Sequence, residues 1–259
     1  MPDRPSFSLI IPVLNEAREI PRLLTAAQRV LSERGGGWEI LVVDNASTDG
    51  TLEAAAPYVD GQRIRTLRND ANRGKGFSIR RGMLEANGDL RLMCDADCVD
   101  SLMSLAHMEA AAEGGADVVV GSRLGSQAQV TRQQPLRRRF VGLGFIVLSR
   151  VAMGPLPHDI YCGFKLWRGE CAQAVFERSR IDGWAFDAEA LAMARRMGFT
   201  LTEVGIAWRN RPDSRLSIGN VMVPVVRELW EARRSVRRSA ADYRSEQRQL
   251  QAARTGAVS

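Results

Sequence analysis

Two aspartates separated by one small residue, Asp95-Ala96-Asp97, close the apolar run Leu90-Arg91-Leu92-Met93-Cys94. In an extended chain residues i and i+2 share a face, so the spacing predicts that Asp95 and Asp97 point the same way at a strand's carboxyl end with Ala96 turned aside. That edge is where open α/β sheets take ligands. Two hard carboxylate ligands suit Mg2+ or Mn2+, ions that usually complete their shells with a substrate's phosphates. The pair therefore offers metal-assisted binding of a diphosphate. The plainer alternative is a strand followed by an aspartate-rich turn.

Three more segments place polar chemistry directly after apolar runs. Phe7-Ser8-Leu9-Ile10-Ile11-Pro12-Val13-Leu14-Asn15-Glu16 reads as a buried strand closed by Pro12, with a helix opening near Asn15. Glu39-Ile40-Leu41-Val42-Val43-Asp44 reads as a second buried strand, ended by Asp44 and followed by the cap-rich turn Asn45-Ala46-Ser47-Thr48-Asp49-Gly50-Thr51. Asn72-Arg73-Gly74-Lys75-Gly76 is a glycine loop that allows tight turning and close approach of a ligand. All of these can gather at one sheet edge.

The chain holds 36 Lys plus Arg, of which only Lys75 and Lys165 are lysines. A compact ammonium is not interchangeable with a forked guanidinium, so both lysines read as selected for their sites. The dinucleotide fingerprint is excluded because Ile79 stands where its third glycine belongs, and the P-loop because Gly76 rather than Ser or Thr follows Lys75.

A chain of 259 residues with 45% hydrophobic content is enough for one generous domain. Strand-like and helix-like runs alternate as far as Gly121, which predicts an α/β protein with a mostly parallel central sheet. The expected division is a domain over residues 1–216 and a basic amphipathic helix with a flexible tail over 217–259. Four cysteines (Cys94, Cys98, Cys162, Cys171) form no zinc pattern and read as buried free thiols of a cytosolic protein. His107 and His158 read as structural or exposed.

The net charge of +6 points to an anionic substrate, membrane or nucleic acid, and its distribution decides among them. Arg137-Arg138-Arg139 precedes an apolar run that is too short to cross a bilayer. Leu136, Phe140, Leu143, Val147 and Val151 recur at helical spacing, as an interfacial helix or a core helix with a basic edge would. Met222, Val226, Leu229, Trp230 and Val236 do the same near the end, among Arg227, Arg233, Arg234, Arg237 and Arg238. An anionic membrane surface fits, nucleic acid does not, since no recognition motif or stacking series is present. With no signal peptide after Met1-Pro2-Asp3-Arg4, the expected location is cytoplasmic, peripheral at the inner face of the membrane.

The Pro12-to-Glu16, Val43-to-Thr51, Asn72-to-Gly76 and Asp95-to-Asp97 segments, in that order, resemble the inverting glycosyltransferases of family 2, which have the GT-A fold. Gly121-Ser122-Arg123, Asp159-Ile160-Tyr161-Cys162-Gly163-Phe164-Lys165, Trp184-Ala185-Phe186-Asp187-Ala188-Glu189 and Arg138 with Gly144-Phe145 resemble its dolichyl-phosphate β-glucosyltransferase branch. Asn45 stands where relatives often have a second Asp, and Val99 where mannose synthases place a metal-binding Gln. Asp213-Ser214-Arg215 replaces a Gly-Ser-Lys loop.

The resemblance implies a Rossmann-like GT-A domain binding a nucleotide sugar, UDP-sugar preferred, with Mg2+ or Mn2+ as cofactor. It implies that Pro12, Leu14 and Glu16 line the nucleotide pocket and that Asp44 holds the base edge. Gly74, Lys75 and Gly76 would face the diphosphate; Asp95, Ala96 and Asp97 would bind donor, with Asp95 and Asp97 holding the metal. Arg123, Arg138 and Lys165 would receive the phosphate of a polyprenyl phosphate acceptor. Asp97 and Lys75 would serve the transfer step. Asp187 would be the base if the acceptor were instead a hydroxyl. A donor-binding scaffold without turnover is the non-enzyme alternative.

Overall fold

The computed structural model describes residues 5–124, 128–132, 136–209 and 218–256, with side chains described except at 132, 136–141, 218–224 and 253–256. The apolar runs become strands because their side chains are buried on both faces. In β1 (Phe7–Val13), Phe7, Leu9, Ile11 and Val13 enter one core cluster and Ile10 the other. β2 (Trp38–Asp44) divides in the same way, with Leu41 and Val43 against Ile40 and Val42. Two-sided burial is the mark of a sheet covered by helices on both sides.

Helix α1 (Ile20–Arg34) follows β1; α2 (Thr51–Ala55), β3 (Ile64–Arg68), α3 (Lys75–Glu85) and β4 (Leu90–Cys94) follow β2. Then come α4 (Leu105–Glu113), β5 (Val118–Ser122), β6 (Gln129–Arg132), α5 (Leu136–Met153), β7 (Phe164–Arg168), α6 (Gly169–Phe176) and α7 (Phe186–Met197). The chain continues through β8 (Leu201–Gly205), β9 (Ala207–Arg209) and α8 (Ile218–Gly256). The seven-stranded sheet has the order β3-β2-β1-β4-β7-β5-β8. Only β7 runs against its neighbours, pairing antiparallel with both β4 and β5. The reversal has a consequence for the site: Phe164 lies opposite Cys94 and Lys165 opposite Met93, so the start of β7 sits at the end of β4. β6 and β9 form a separate parallel pair.

Two expectations change. The chain does not enter a helix near Asn15; Asn15 adopts a left-handed conformation (φ 57°) and α1 starts at Ile20. Asp95 to Asp97 lie in a turn after β4 rather than in the strand, closed by the Cys98 N–H donating to the Asp95 carbonyl at 2.9 Å, though Ala96 is buried between two half-buried aspartates. Val225, Leu229, Ala232, Val236 and Ala240 of α8 belong to the same core cluster as α7, and α8 packs on α7 and α5. The expected terminal stripe splits accordingly, with Leu229 and Val236 inward and Val226 and Trp230 outward. Met222 lies outside the described side chains. All four cysteines are free and buried.

The amino ends of the strands carry a stability network. Buried Glu39 accepts from the Ser8 hydroxyl (2.7 Å) and the Asn87 N–H (2.6 Å), while the Ser8 oxygen accepts from the Gly88 N–H (2.8 Å). Ser8→Ala leaves the buried Gly88 N–H without its acceptor, takes one donor from Glu39, and is expected to cost about 1–3 kcal/mol in urea unfolding; an unchanged midpoint would show that the Ser8 bonds carry no stability.

Candidate active site

The carboxyl ends of β2, β1 and β4 are adjacent, and the loops leaving them are tied to one another. The Asn15 N–H donates to Ser47 Oγ (2.9 Å) and the Glu16 N–H to Thr51 Oγ1 (2.9 Å). Asn15 Oδ1 accepts from the Thr48 N–H (2.8 Å). These bonds fix the segment of Pro12, Leu14 and Glu16 beside Asp44, with the Leu14 side chain exposed.

Asp44 is fully buried. Its Oδ1 accepts from the Ser47 N–H at 3.1 Å, while Oδ2 has no hydrogen-bond partner and only Arg68 Nε at 3.5 Å. A buried carboxylate oxygen without a donor is costly, so this atom is available to an N–H brought by a ligand.

Asn45 was missed as a functional residue. Its Oδ1 accepts from Asn69 Nδ2 (3.0 Å) and the Arg73 N–H (2.9 Å), and its Nδ2 donates to Asn72 Oδ1 (2.8 Å). A carboxylate could not make the last bond, because it has no hydrogen to donate. Asn45 thus shapes the glycine loop. Gly74 needs its φ of 99°, and a Cβ there would stand 2.3 Å from the Asp182 carbonyl oxygen, so the loop lies directly on the 181–183 segment. α3 begins at Lys75.

Lys75 Nζ donates to Asp95 Oδ2 at 2.6 Å. Burial opposes its charge, but the carboxylates of Asp95, Asp187 and Asp97 outweigh burial and hold its pKa above the ordinary lysine value. Asp95 is anchored by its N–H to the Gly163 carbonyl (2.9 Å). A Cβ on Gly163 would stand 1.9 Å from Asp95 Oδ2, so only glycine admits this placement. Asp95 Oδ1 is buried and has no hydrogen-bond partner. Asp97 lies beside it, with the Cys98 thiol 3.7 Å from Oδ1.

Among the described residues no three His, Cys, Asp or Glu side chains form a ready-made cation cage. The unclaimed Asp95 Oδ1 and the neighbouring Asp97 carboxylate nevertheless fit an ion held by few protein ligands that takes the rest from phosphates.

Of the acceptor residues expected from the sequence, Arg123 and Lys165 both lie within electrostatic reach of Asp159 and Cys162, and each is engaged by a carboxylate of the protein. Lys165 is 0% exposed, and its Nζ donates to Asp187 Oδ1 and the Cys162 carbonyl, both at 2.5 Å. Two of its three hydrogens are thus engaged inside the protein. Asp187 is buried in turn, and burial pushes its carboxyl above the ordinary value against the pull of Lys165 and Lys75. Arg123 forms a two-pronged pair with Asp159, Nε to Oδ2 at 2.8 Å and Nη2 to Oδ1 at 2.7 Å, and lies over the Trp208 ring. Arg138 belongs to α5, but its side chain lies outside the described residues.

Lys165→Met should cost about 3–5 kcal/mol in chemical denaturation, because it strands the buried Asp187 charge. Adding Asp187→Asn should recover part of that loss; a double variant no better than the single one would contradict the pairing.

The fold and the sequence have counterparts. A family model described as Glycosyl transferase family 2 matches residues 8–176. A dolichyl-phosphate beta-glucosyltransferase of Trichomonas vaginalis is 31% identical over 227 residues, covering 83% of this chain and 67% of the relative. The human dolichyl-phosphate beta-glucosyltransferase is 28% identical, over 81% of this chain and 69% of the relative. Among solved structures, glucosyl-3-phosphoglycerate synthase from Mycobacterium tuberculosis, in complex with Mn2+, uridine diphosphate and glucosyl-3-phosphoglycerate, superposes with a TM-score of 0.63 at 18% identity, covering 88% of this chain and 80% of that one. The architecture is the GT-A fold. By the family match over most of its length, this chain belongs to glycosyl transferase family 2.

Proposed function

We propose that this glycosyltransferase moves a hexose, glucose from UDP-glucose as the best reading, onto a polyprenyl phosphate at the inner face of a membrane, with Mg2+ or Mn2+ as cofactor. The state of Asp187 carries this reading. A hydroxyl acceptor needs a base, yet the carboxylate suited to that role is buried and ion-paired to Lys165. A phosphate acceptor arrives already anionic and needs none. The dolichyl-phosphate beta-glucosyltransferases among the relatives support the same acceptor chemistry.

The donor side follows from the unclaimed acceptors. Asp44 Oδ2 would take the N–H of the base, uracil in this reading, and Pro12, Leu14 and Glu16 would flank it. Gly74 and Lys75 would face the diphosphate, with Asp95, Ala96 and Asp97 beneath it. The metal, held by Asp95 and Asp97, would supply positive charge to the diphosphate. The bound Mn2+ and uridine diphosphate of the mycobacterial synthase support this choice of partners.

The transfer is a single in-line displacement. An oxygen of the acceptor phosphate bonds to the anomeric carbon as the bond to the diphosphate oxygen breaks. The electron pair leaves with UDP, and the anomeric configuration inverts. Lys75 keeps its proton, since its pKa is raised, and stabilises the charge growing on the leaving diphosphate. Arg138 and the remaining N–H groups of Arg123 would orient the acceptor phosphate.

Membrane contact is supported by two faces. Leu143, Val147 and Val151 form an outward stripe on α5, exposed by 56%, 55% and 72%, while Phe145, Ile146 and Leu148 pack on the core behind them. On α8, Trp230 is 58% exposed and lies under the Arg233 guanidinium. No helix among the described residues is long and apolar enough to cross a membrane.

The test is transfer of radiolabelled sugar into the lipid phase with Mn2+ or Mg2+ and a short-chain polyprenyl phosphate, run with UDP-glucose, UDP-N-acetylglucosamine, UDP-galactose and GDP-mannose. Metal-dependent lipid product from UDP-glucose is expected. Donor hydrolysis without lipid product would move the acceptor to a hydroxyl. In the same assay Arg138→Ala should raise the KM for the acceptor by about tenfold or more, an effect of the size of one charged hydrogen bond, and leave the donor KM near wild type. Equal effects on both would remove Arg138 from the acceptor site.

A further inference from the structure

The segment between α6 and α7, residues 180–185, holds both sides of the site. On one side it packs on the glycine loop: the Phe77 N–H donates to the Asp182 carbonyl (3.2 Å), and Arg80 Nη2 pairs with Asp182 Oδ1 (2.5 Å). On the other it leads directly into Asp187 at the start of α7. Its own backbone forms no regular element, so its N–H groups need acceptors from elsewhere.

Two carboxylates supply them. Glu189 of α7, fully buried, accepts from the Arg180 and Ile181 N–H groups at 3.0–3.1 Å. Glu228 of α8 accepts from the Ala185 N–H at 2.9 Å. The fit at Glu228 is close: a Cβ on Gly183 would stand 1.9 Å from Glu228 Oε1. On either side of the Ala185 anchor Trp184 and Phe186 face the Lys75 ammonium, with Nζ 5.7 Å and 5.8 Å from their ring centroids.

We propose that Glu228 is a positioning residue for sugar transfer: from α8 it fixes the Gly183–Ala185 turn, and so the Trp184, Phe186 and Asp187 side of the Lys75–Asp95 centre. The inference rests on the transfer reading above and goes beyond it. α8 is then a structural part of the catalytic centre as well as a candidate membrane face, because Glu228 points inward from the helix whose Trp230 points outward. Displacement of the turn would tilt Trp184 and loosen the glycine loop against Asp182. Misplacements of about 1 Å at a reacting site can cost about a hundredfold in rate.

The experiment uses the full chain in detergent, without vesicles, and compares Glu228→Ala, Glu228→Gln and Glu228→Asp with Glu246→Ala. Glu246 is an exposed residue of α8 paired with Arg178. Thermal melts, calorimetric binding of UDP with Mn2+, and kcat and KM for UDP-glucose are measured for each. Gln retains an acceptor oxygen, so its kcat/KM should stay within about threefold of wild type, whereas Ala should lose about tenfold or more. Asp withdraws the carboxylate by one methylene and should fall between them, and it serves if Glu228→Ala does not fold. Glu246→Ala should match wild type. Wild-type kinetics in Glu228→Ala, or in Glu228→Asp where Ala does not fold, would overturn the proposal. So would a Gln variant as impaired as Ala, or losses in kcat/KM that only track the melting temperature. If wild type binds UDP but transfers to no polyprenyl phosphate, the acceptor reading fails while Glu228 is still judged by UDP affinity across the same variants.

Discussion

Asp95 can occupy its place only because Gly163 has no side chain. The missing Cβ leaves room for Oδ2, the Gly163 carbonyl receives the Asp95 N–H, and Lys75 closes the other side of the same oxygen. This constraint ties three distant parts of the chain to one point. β7 must run against its neighbours to bring Gly163 to the end of β4, and the glycine loop must lie flat on residues 181–183 to aim Lys75. Asp95 is left with one committed oxygen and one free one, the arrangement expected of a group that waits for a cation.

Around this point the charges alternate. Lys75 lies among Asp95, Asp97 and Asp187, and Lys165 holds Asp187 from behind. A lone ion in such a buried place would be costly, and pairing with an opposite charge offsets part of that cost. Both positions demand a compact ammonium at the end of a slender stem, which accounts for the only two lysines in an arginine-rich chain. Their tasks differ. Lys75 borders the donor site, and Lys165 is internal and sets the acid-base character of its surroundings by keeping Asp187 occupied.

The sequence made the strand ends legible, because each apolar run stops at a carboxylate: Asp44 as the last, buried residue of β2 and Asp95 directly after β4. The α/β alternation followed from the same local pattern. What stayed hidden depends on partners far along the chain. Nothing near Lys165 reveals that Asp187, 22 residues on, claims its ammonium. Asn45 looked like a substitute for an acid until its amide hydrogen was found holding Asn72. The apolar stripe read on the last helix mixed residues that face α7 with residues that face outward, since heptad-like spacing alone cannot say which side a neighbour will cover. Glu228 carried no local signal at all; only the packing of α8 gives it a role.

The most direct test of the account is calorimetric titration of UDP into wild type and Gly163→Ala, with Mn2+ and with a chelator in its place. The account predicts binding that weakens sharply when the metal is removed, and a Gly163→Ala protein that folds but has lost that metal-dependent gain because Asp95 has been displaced. Binding of equal strength with and without metal, or a Gly163→Ala protein that binds as wild type does, would contradict it.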